Sequence, residues 1–170
     1  MLRDEMGPQS DVGLCLRPYA PADLDALVQL TLLAFEPVFA SFERIMGPSI
    51  FPTVYPDWRK TQAELVVQMS GNDKIHLAVA EVDGQIAGFI AYEFHEDETG
   101  EVYFLAVHPE YLRHGIGTEL NLFALQKLKE GGAKLAVVGT GGDESHAPAR
   151  GAYEKVGYTG LPLVRYYKHL

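Results

Sequence analysis

EVYFLAVHPEYLRHGIGTELNLFALQKLKE, from Glu101 to Glu130, is the stretch whose reading decides the fold of this chain. Glu101 to Val107 are β-branched, aromatic and apolar, and Pro109 ends the run, as expected of a strand. Gly115 and Gly117 then open a segment in which Leu120, Phe123, Ala124 and Leu128 recur at helical spacing. Strand, tight glycine turn and helix are therefore expected in that order. Such a turn leaves the first amides of the helix without intrahelical partners, and the helix dipole places partial positive charge behind them. An anion suits that position, above all a phosphate or pyrophosphate. Glycine suits it too, because a β-carbon would hold the phosphate away from the amides.

Three phosphate-binding loops could explain the turn. A dinucleotide fingerprint needs a third small residue three positions after Gly117, where Leu120 stands. A Walker A loop needs Gly-Lys-Ser/Thr, a run found nowhere in the chain. The third is the pyrophosphate loop of the GNAT superfamily, the acyl-CoA-dependent N-acyltransferases. Its signature is Arg/Gln-x-x-Gly-x-Gly/Ala after a strand ending in Val-x-Pro. Val107-His108-Pro109-Glu110-Tyr111 followed by Leu112-Arg113-His114-Gly115-Ile116-Gly117 resembles it closely. One departure is plain: Leu112 occupies the Arg/Gln position, with Arg113 one place later. A second segment, Ala149-Arg150-Gly151-Ala152-Tyr153-Glu154-Lys155-Val156-Gly157-Tyr158, resembles the family's Ala-x-x-Phe/Leu-Tyr-x-Lys-x-Gly-Phe/Tyr at the expected distance downstream. The resemblance runs through Leu14 to Lys168 and is clearest from Ile75 to Tyr158. Residues 37 to 72 carry none of it.

The resemblance implies an acetyl transfer from acetyl-CoA, as cosubstrate, to a primary amine by direct attack. It implies that Leu112, Arg113, His114, Gly115, Ile116, Gly117 and Thr118 form the pyrophosphate loop. The amides of Leu105 and Val107 would hold the thioester and pantetheine, provided their strand splays from Leu135–Gly139. His146 stands where the family often has Asn on the pantetheine arm. Arg113 and Arg150 are candidates for the CoA phosphates, with solvated surface as the alternative. Tyr153 matches the family's proton donor to the leaving thiolate. Glu101, eight positions before Pro109, matches a base-type Glu, with Glu93 and His95 as alternatives. Strand alternation would put Glu101, Tyr103, Leu105 and Val107 on one face. Two other readings stand beside the enzyme: a catalytically silent CoA-binding regulatory module, and a protein or peptide N-acetyltransferase.

Composition narrows the field further. A net charge of −9 argues against nucleic acid as partner and would suit a cationic substrate. Cys15 is the only cysteine, which excludes an internal disulfide and a cysteine-rich zinc site. The histidines show no metal spacing, so no metal is expected, and a reducing cytoplasm is the simplest location. No apolar run approaches the roughly 20 residues of a membrane span, and the N-terminus lacks a signal-peptide pattern.

Along the chain, residues 1–13 read as a flexible tail and 14–170 as one domain. The expected order is β-α-α-β-β-β-α-β-α-β-β, which matches the GNAT order. The fold class is thus α/β (α+β): a mixed central sheet of about six to seven strands flanked by about four helices. Pro37 to Asp57, proline-rich and aromatic, reads as broken helix and loop that could wall a pocket for a small amine. Ser145 reads as the cap of the last helix. The apolar run Leu161 to Tyr167 could extend the sheet into a partner, so a homodimer is contemplated.

Overall fold

The structure, a computed structural model, describes residues 13–170. The expected N-terminal tail, Gly13 excepted, lies outside the described residues. Five strands and four helices follow in the order β1 (Leu14–Pro18), α1 (Leu24–Val54), α2 (Trp58–Ser70), β2 (Ile75–Val82), β3 (Gln85–Phe94), β4 (Thr99–Val107), α3 (Ile116–Glu130), β5 (Leu135–Val138) and α4 (Ala147–Lys155). The strands form one sheet in chain order. β1 to β4 pair antiparallel and β5 joins β4 in parallel, so the sheet is mixed. Asp83 and Gly84, at φ 50° and 79°, make the tight hairpin that their dipeptide signals.

Two layers of side chains cover the sheet. On one face, Ala80, Ile90, Tyr92 and Val102 pack against Ile116, Leu120, Ala124 and Leu128 of α3. On the other, Val79, Phe89, Ala91 and Ala106 meet Leu27 and Leu30 of α1 and Val66 and Met69 of α2. α3 rests close on the sheet at two notches. A β-carbon at Gly100 would stand 2.3 Å from Leu128 Cδ2, and one at Gly88 3.1 Å from Leu120 Cδ1 and 3.2 Å from Ile116 Cγ2. These contacts set the height of α3 over β4, and so the position of its N-terminus.

Pro37–Asp57 corrects the expectation of broken helix and loop. Helix continues to Val54, through Pro37, Pro48 and Pro52, with one non-helical residue at Gly47 (φ 74°, ψ 175°). The apolar side chains explain why helix survives three prolines: Phe39, Phe51 and Trp58 are buried in their own cluster, joined by Phe35, Phe42 and Tyr55. Packing overrides propensity there. Pro48 then restarts the helix at its first turn, where a missing N–H costs nothing. Residues 21–54 contain an 18-residue window with mean hydropathy 1.4, enough by length and composition to cross a bilayer. In this fold that apolarity serves the sheet and the aromatic cluster.

The strand count is also corrected. The two final strands expected after Gly157 do not form, which leaves five. Leu161–Leu170 are exposed throughout. Pro162 has no N–H for a ladder, and the apolar positions Leu161, Leu163, Val164, Tyr166 and Tyr167 break the two-residue alternation that would present one face.

Candidate active site

The site begins where β4 and β5 part. Their register runs from Thr99–Leu135 to Val102–Val138 and stops. β4 continues five residues to Val107 with β3 on one side only. The His108 amide donates to the Ala87 carbonyl at 2.8 Å. By alternation the amides of Leu105 and Val107 point the other way, into the gap beyond β5. Pairing with β5 therefore ends before those two amides.

A bulge decides which side chains share the gap's two faces. Across from β3, register passes from Tyr92–Val102 to Ala91–Phe104, which leaves Tyr103 without a partner. The extra residue reverses the alternation. Leu105 and Val107 consequently pack toward α3, whereas Phe104 and Ala106 pack toward α1 and α2. Glu101 lies before the bulge, opposite in sense to Gly100 and Val102, and shares the α1/α2 face. The expectation of one face for Glu101, Tyr103, Leu105 and Val107 is overturned.

Past Val107 the chain makes a short turn over Pro109–Tyr111, takes Arg113 through φ 67°, and reaches Gly115, the N-cap of α3, at φ 79°. The Glu119 amide returns to the Gly115 carbonyl at 3.0 Å, so the amides of Ile116, Gly117 and Thr118 precede the first intrahelical bond. Nothing lies within 4 Å of a β-carbon placed on Gly115, and at Gly117 the nearest atom is Val107 Cγ2 at 3.7 Å. The protein itself therefore leaves room at both glycines. Leu112, Arg113 and His114 are exposed around this opening, and Ile116 is buried beneath it. Asn121, fully buried, donates to the Gly117 carbonyl at 2.9 Å and braces the first turn. Sequence reasoning passed over Asn121; its one signal was a polar residue on an apolar helical stripe. Gly115→Ala is expected to cost about 1–2 kcal/mol, since alanine must hold a left-handed backbone. A lower melting temperature measures it, and an unchanged one would mean that the turn simply re-forms.

Strand pairing gathers three groups on the α1/α2 face. Glu93 is registered directly opposite Glu101. His95 Nε2 stands 3.3 Å from Glu101 Oε2 and 3.9 Å from Glu93 Oε1. One ligand-type atom from each lies within 4.8 Å of the others. The Glu101 side chain is about one-third exposed (37%), so it is open to an incoming solute.

Across the gap, the loop after β5 is tied into a polar knot. The Asp143 carboxylate accepts from Ser41 Oγ of α1 at 2.8 Å, from the Ser145 amide at 3.2 Å and from the Ser145 hydroxyl. His146 Nδ1 lies 2.6 Å from Asp143 Oδ1, and its ring stacks on Phe42 of α1. Burial would raise the Asp143 pKa, but hydrogen bonds from Ser145, Ser41 and His146 together hold it well below the usual carboxylate range. Asp143, not Ser145, caps the turn that leads into α4. Arg150 donates to the Gly141 and Asp143 carbonyls, both at 2.7 Å, so its guanidinium shapes this loop. Tyr153 is buried, its ring edge-on to Tyr158 at 5.8 Å. Burial, with a smaller contribution from Tyr158, pushes the Tyr153 phenol up to about 12. Burial raises Tyr158 to about 12 as well, and its hydroxyl has no partner among the described residues.

A five-stranded mixed sheet with an open helix N-terminus after its fourth strand fits the fold that the sequence resemblance implied. Residues 39–158 match the model of the Acetyltransferase (GNAT) family, and the chain belongs to that family. A mycothiol acetyltransferase from Thermomonospora curvata is 38% identical over 103 residues, 61% of this chain and 32% of that protein. An uncharacterized N-acetyltransferase from Archaeoglobus fulgidus is 36% identical over 75 residues, 41% of this chain. The chain spans about a third of the first relative's length and about half (51%) of the second's. Among solved structures, the PaiA N-acetyltransferase of Thermoplasma acidophilum, in complex with coenzyme A, matches with a TM-score of 0.64 at 19% identity, over 86% of this chain and 89% of that one. An aminoglycoside acetyltransferase from an uncultured soil sample, in complex with sisomicin, gives 0.61 at 24% identity, over 92% and 96%.

Proposed function

We propose that the chain is an acetyl-CoA-dependent N-acetyltransferase acting on a small primary amine. The observation that carries this reading is the α3 N-terminus, with Gly115 left-handed and the amides of Ile116, Gly117 and Thr118 ahead of the first intrahelical bond. A pyrophosphate fits it, because the space a β-carbon would occupy at Gly115 is empty. Acetyl-CoA, when bound, supplies an acetyl thioester whose carbonyl carbon an amine can attack. The Leu105 and Val107 amides would hold that thioester and pantetheine in the gap beside β5. The exposed loop side chains Leu112, Arg113 and His114, with Thr118, would border the phosphates. His146 would meet the pantetheine arm from the far side of the gap.

An alkylammonium titrates near 10, so the acceptor must lose a proton before it attacks. Glu101 is assigned as the base that takes it, with Glu93 across the strand as the alternative and His95 between them. The carbonyl develops negative charge as the amine adds, and an amide on the unpaired edge of β4 can stabilise it. Collapse breaks the carbon–sulfur bond, and Tyr153 is assigned as proton donor to the departing thiolate. With its pKa held near 12, the phenol carries its proton at neutral pH and so has one to give.

For the acceptor, the acidic pair Glu93–Glu101 favours a compact cation. An aminoglycoside acetyltransferase and a mycothiol acetyltransferase stand among the similar proteins. A reducing cytoplasm suits the lone exposed Cys15.

The test is a thermal-shift titration with acetyl-CoA, CoA, NAD and ATP side by side. Stabilisation by the two CoA species alone is expected, since a ligand that binds only the folded state raises its melting temperature. Thiol release with a panel of amines then reads turnover. No shift with either CoA species ends the reading. A shift without turnover on any amine would favour the silent CoA-binding module.

A further inference from the structure

The loop between β5 and α4 holds a histidine in an arrangement that a pantetheine contact alone does not require. His146 Nδ1 lies 2.6 Å from Asp143 Oδ1, and the two side chains are only 16% and 12% exposed. Against its burial, hydrogen bonds from Ser145, Ser41 and His146 keep Asp143 ionised, so the proton in that contact sits on His146 Nδ1. The ring nitrogens point apart, which directs Nε2 out of the knot, and Nε2 has no partner among the described residues. A carboxylate that orients one nitrogen and leaves the other free sets an imidazole for proton transfer.

The ring is also placed against the gap. His146, Phe42, Phe39, Phe35 and Phe104 stand in series at centroid spacings of 5.6, 5.7, 6.4 and 5.1 Å. That row ties the loop through α1 to β4, one residue before Leu105. Seven residues, two helical turns, separate His146 from Tyr153, so the two share one side of α4.

Resting on the acetyltransferase reading, we propose that His146 is a second proton donor to the departing thiolate and carries the larger part of that work, with Asp143 as its positioning residue. Nε2 of the imidazolium gives its proton to sulfur as the carbon–sulfur bond breaks and its electron pair moves there. The ring is left neutral, with Nδ1–H still on Asp143, and regains a proton from solvent. The alkylammonium gives up two protons in becoming an amide; one is matched by the new S–H bond and one is released, so the protons balance. Acid strength sets the division of work. A phenol held near 12 protonates a thiolate, whose thiol ordinarily titrates near 8.5, against a gradient of more than about a thousandfold. An imidazolium, ordinarily near 6.5, does so downhill.

His146→Ala is expected to lower kcat about a hundredfold and to raise KM for acetyl-CoA far less. Free imidazole should restore at least about tenfold of that loss, which a merely structural histidine would not allow. His146→Gln keeps an N–H for Asp143, so the loop stays tied if alanine loosens the fold, and it should lose kcat to the same extent. Tyr153→Phe should lose less than either. A loss confined to KM, full turnover by His146→Gln, or a folded His146→Ala that imidazole leaves unchanged would each overturn the role. A larger loss in Tyr153→Phe would return the main share to the phenol. A wild-type chain that neither shifts with CoA nor turns over any amine would sink the acetyltransferase reading itself, and this role with it.

Discussion

Glu101→Gln is expected to lower kcat by about a hundred- to ten-thousandfold, the usual contribution of a positioned general base. The amide keeps the shape and the hydrogen-bond reach toward His95 but cannot take up a proton. Stabilisation by CoA should be unchanged, because Glu101 lies on the α1/α2 face of β4 while the phosphate loop follows the strand's other end. Glu93→Gln is the control that gives the experiment its force. The two carboxylates face each other across β3 and β4 and share His95 at 3.9 and 3.3 Å. Geometry makes either one a possible base, while only Glu101 has the position that resembles the family's base-type Glu. A larger loss in Glu93→Gln would exchange the roles. Equal, small losses in both would transfer the proton work to His95 or to solvent.

The second large effect is expected at Asp143. Replacing it by Asn should cost about 1–3 kcal/mol, because a half-buried carboxylate that accepts from Ser41, Ser145 and His146 becomes an amide with one acceptor oxygen. For a domain of this size that is a fall in melting temperature of roughly 2–12 °C. The pH dependence follows from the direction of the shift. Folding lowers the proton affinity of Asp143 below its ordinary value of 3.8, so the unfolded chain takes up the proton first. The stabilisation is therefore complete above about pH 4 and fades as pH falls further. Wild type and Asp143→Asn should differ by a constant amount near neutrality, and the gap should start to narrow only below about pH 4. A gap that stays constant below that pH as well would mean that the carboxylate's charge plays no part. The same substitution frees the 139–146 loop, so His146 and the Arg150-bound carbonyls should lose their fixed placement, and KM for acetyl-CoA should rise.

Much of this fold was legible in residues close to one another in sequence. The hairpin at Asp83-Gly84, α2 from Trp58 to Ser70 and the glycine turn into α3 were each read from local signals. Short-range rules govern such elements: a left-handed turn needs glycine or a small polar residue, and an amphipathic helix repeats every three to four residues. The α1 aromatics were legible as apolar but not as helical. Three prolines argued for loop, and only burial of Phe39, Phe51 and Trp58 explains why helix prevailed.

The site divides along the same line. The sequence by itself determined the anion-ready turn at Gly115, the two segments that resemble the acetyltransferase family, and the carboxylate and phenol proposed for proton transfer. Those signals lie within single short stretches. Tertiary structure decided which faces they meet. The bulge at Tyr103 turns Glu101 away from Leu105 and Val107, and a bulge arises from how two strands pair. Ser41 meets Asp143 across 102 positions of chain, and Glu93 meets Glu101 through a register that periodicity cannot specify. The arm after Gly157 was read as strand because its side chains are apolar. A strand also needs free N–H groups and one apolar face, and Pro162 with the broken alternation of Leu161 to Tyr167 supplies neither.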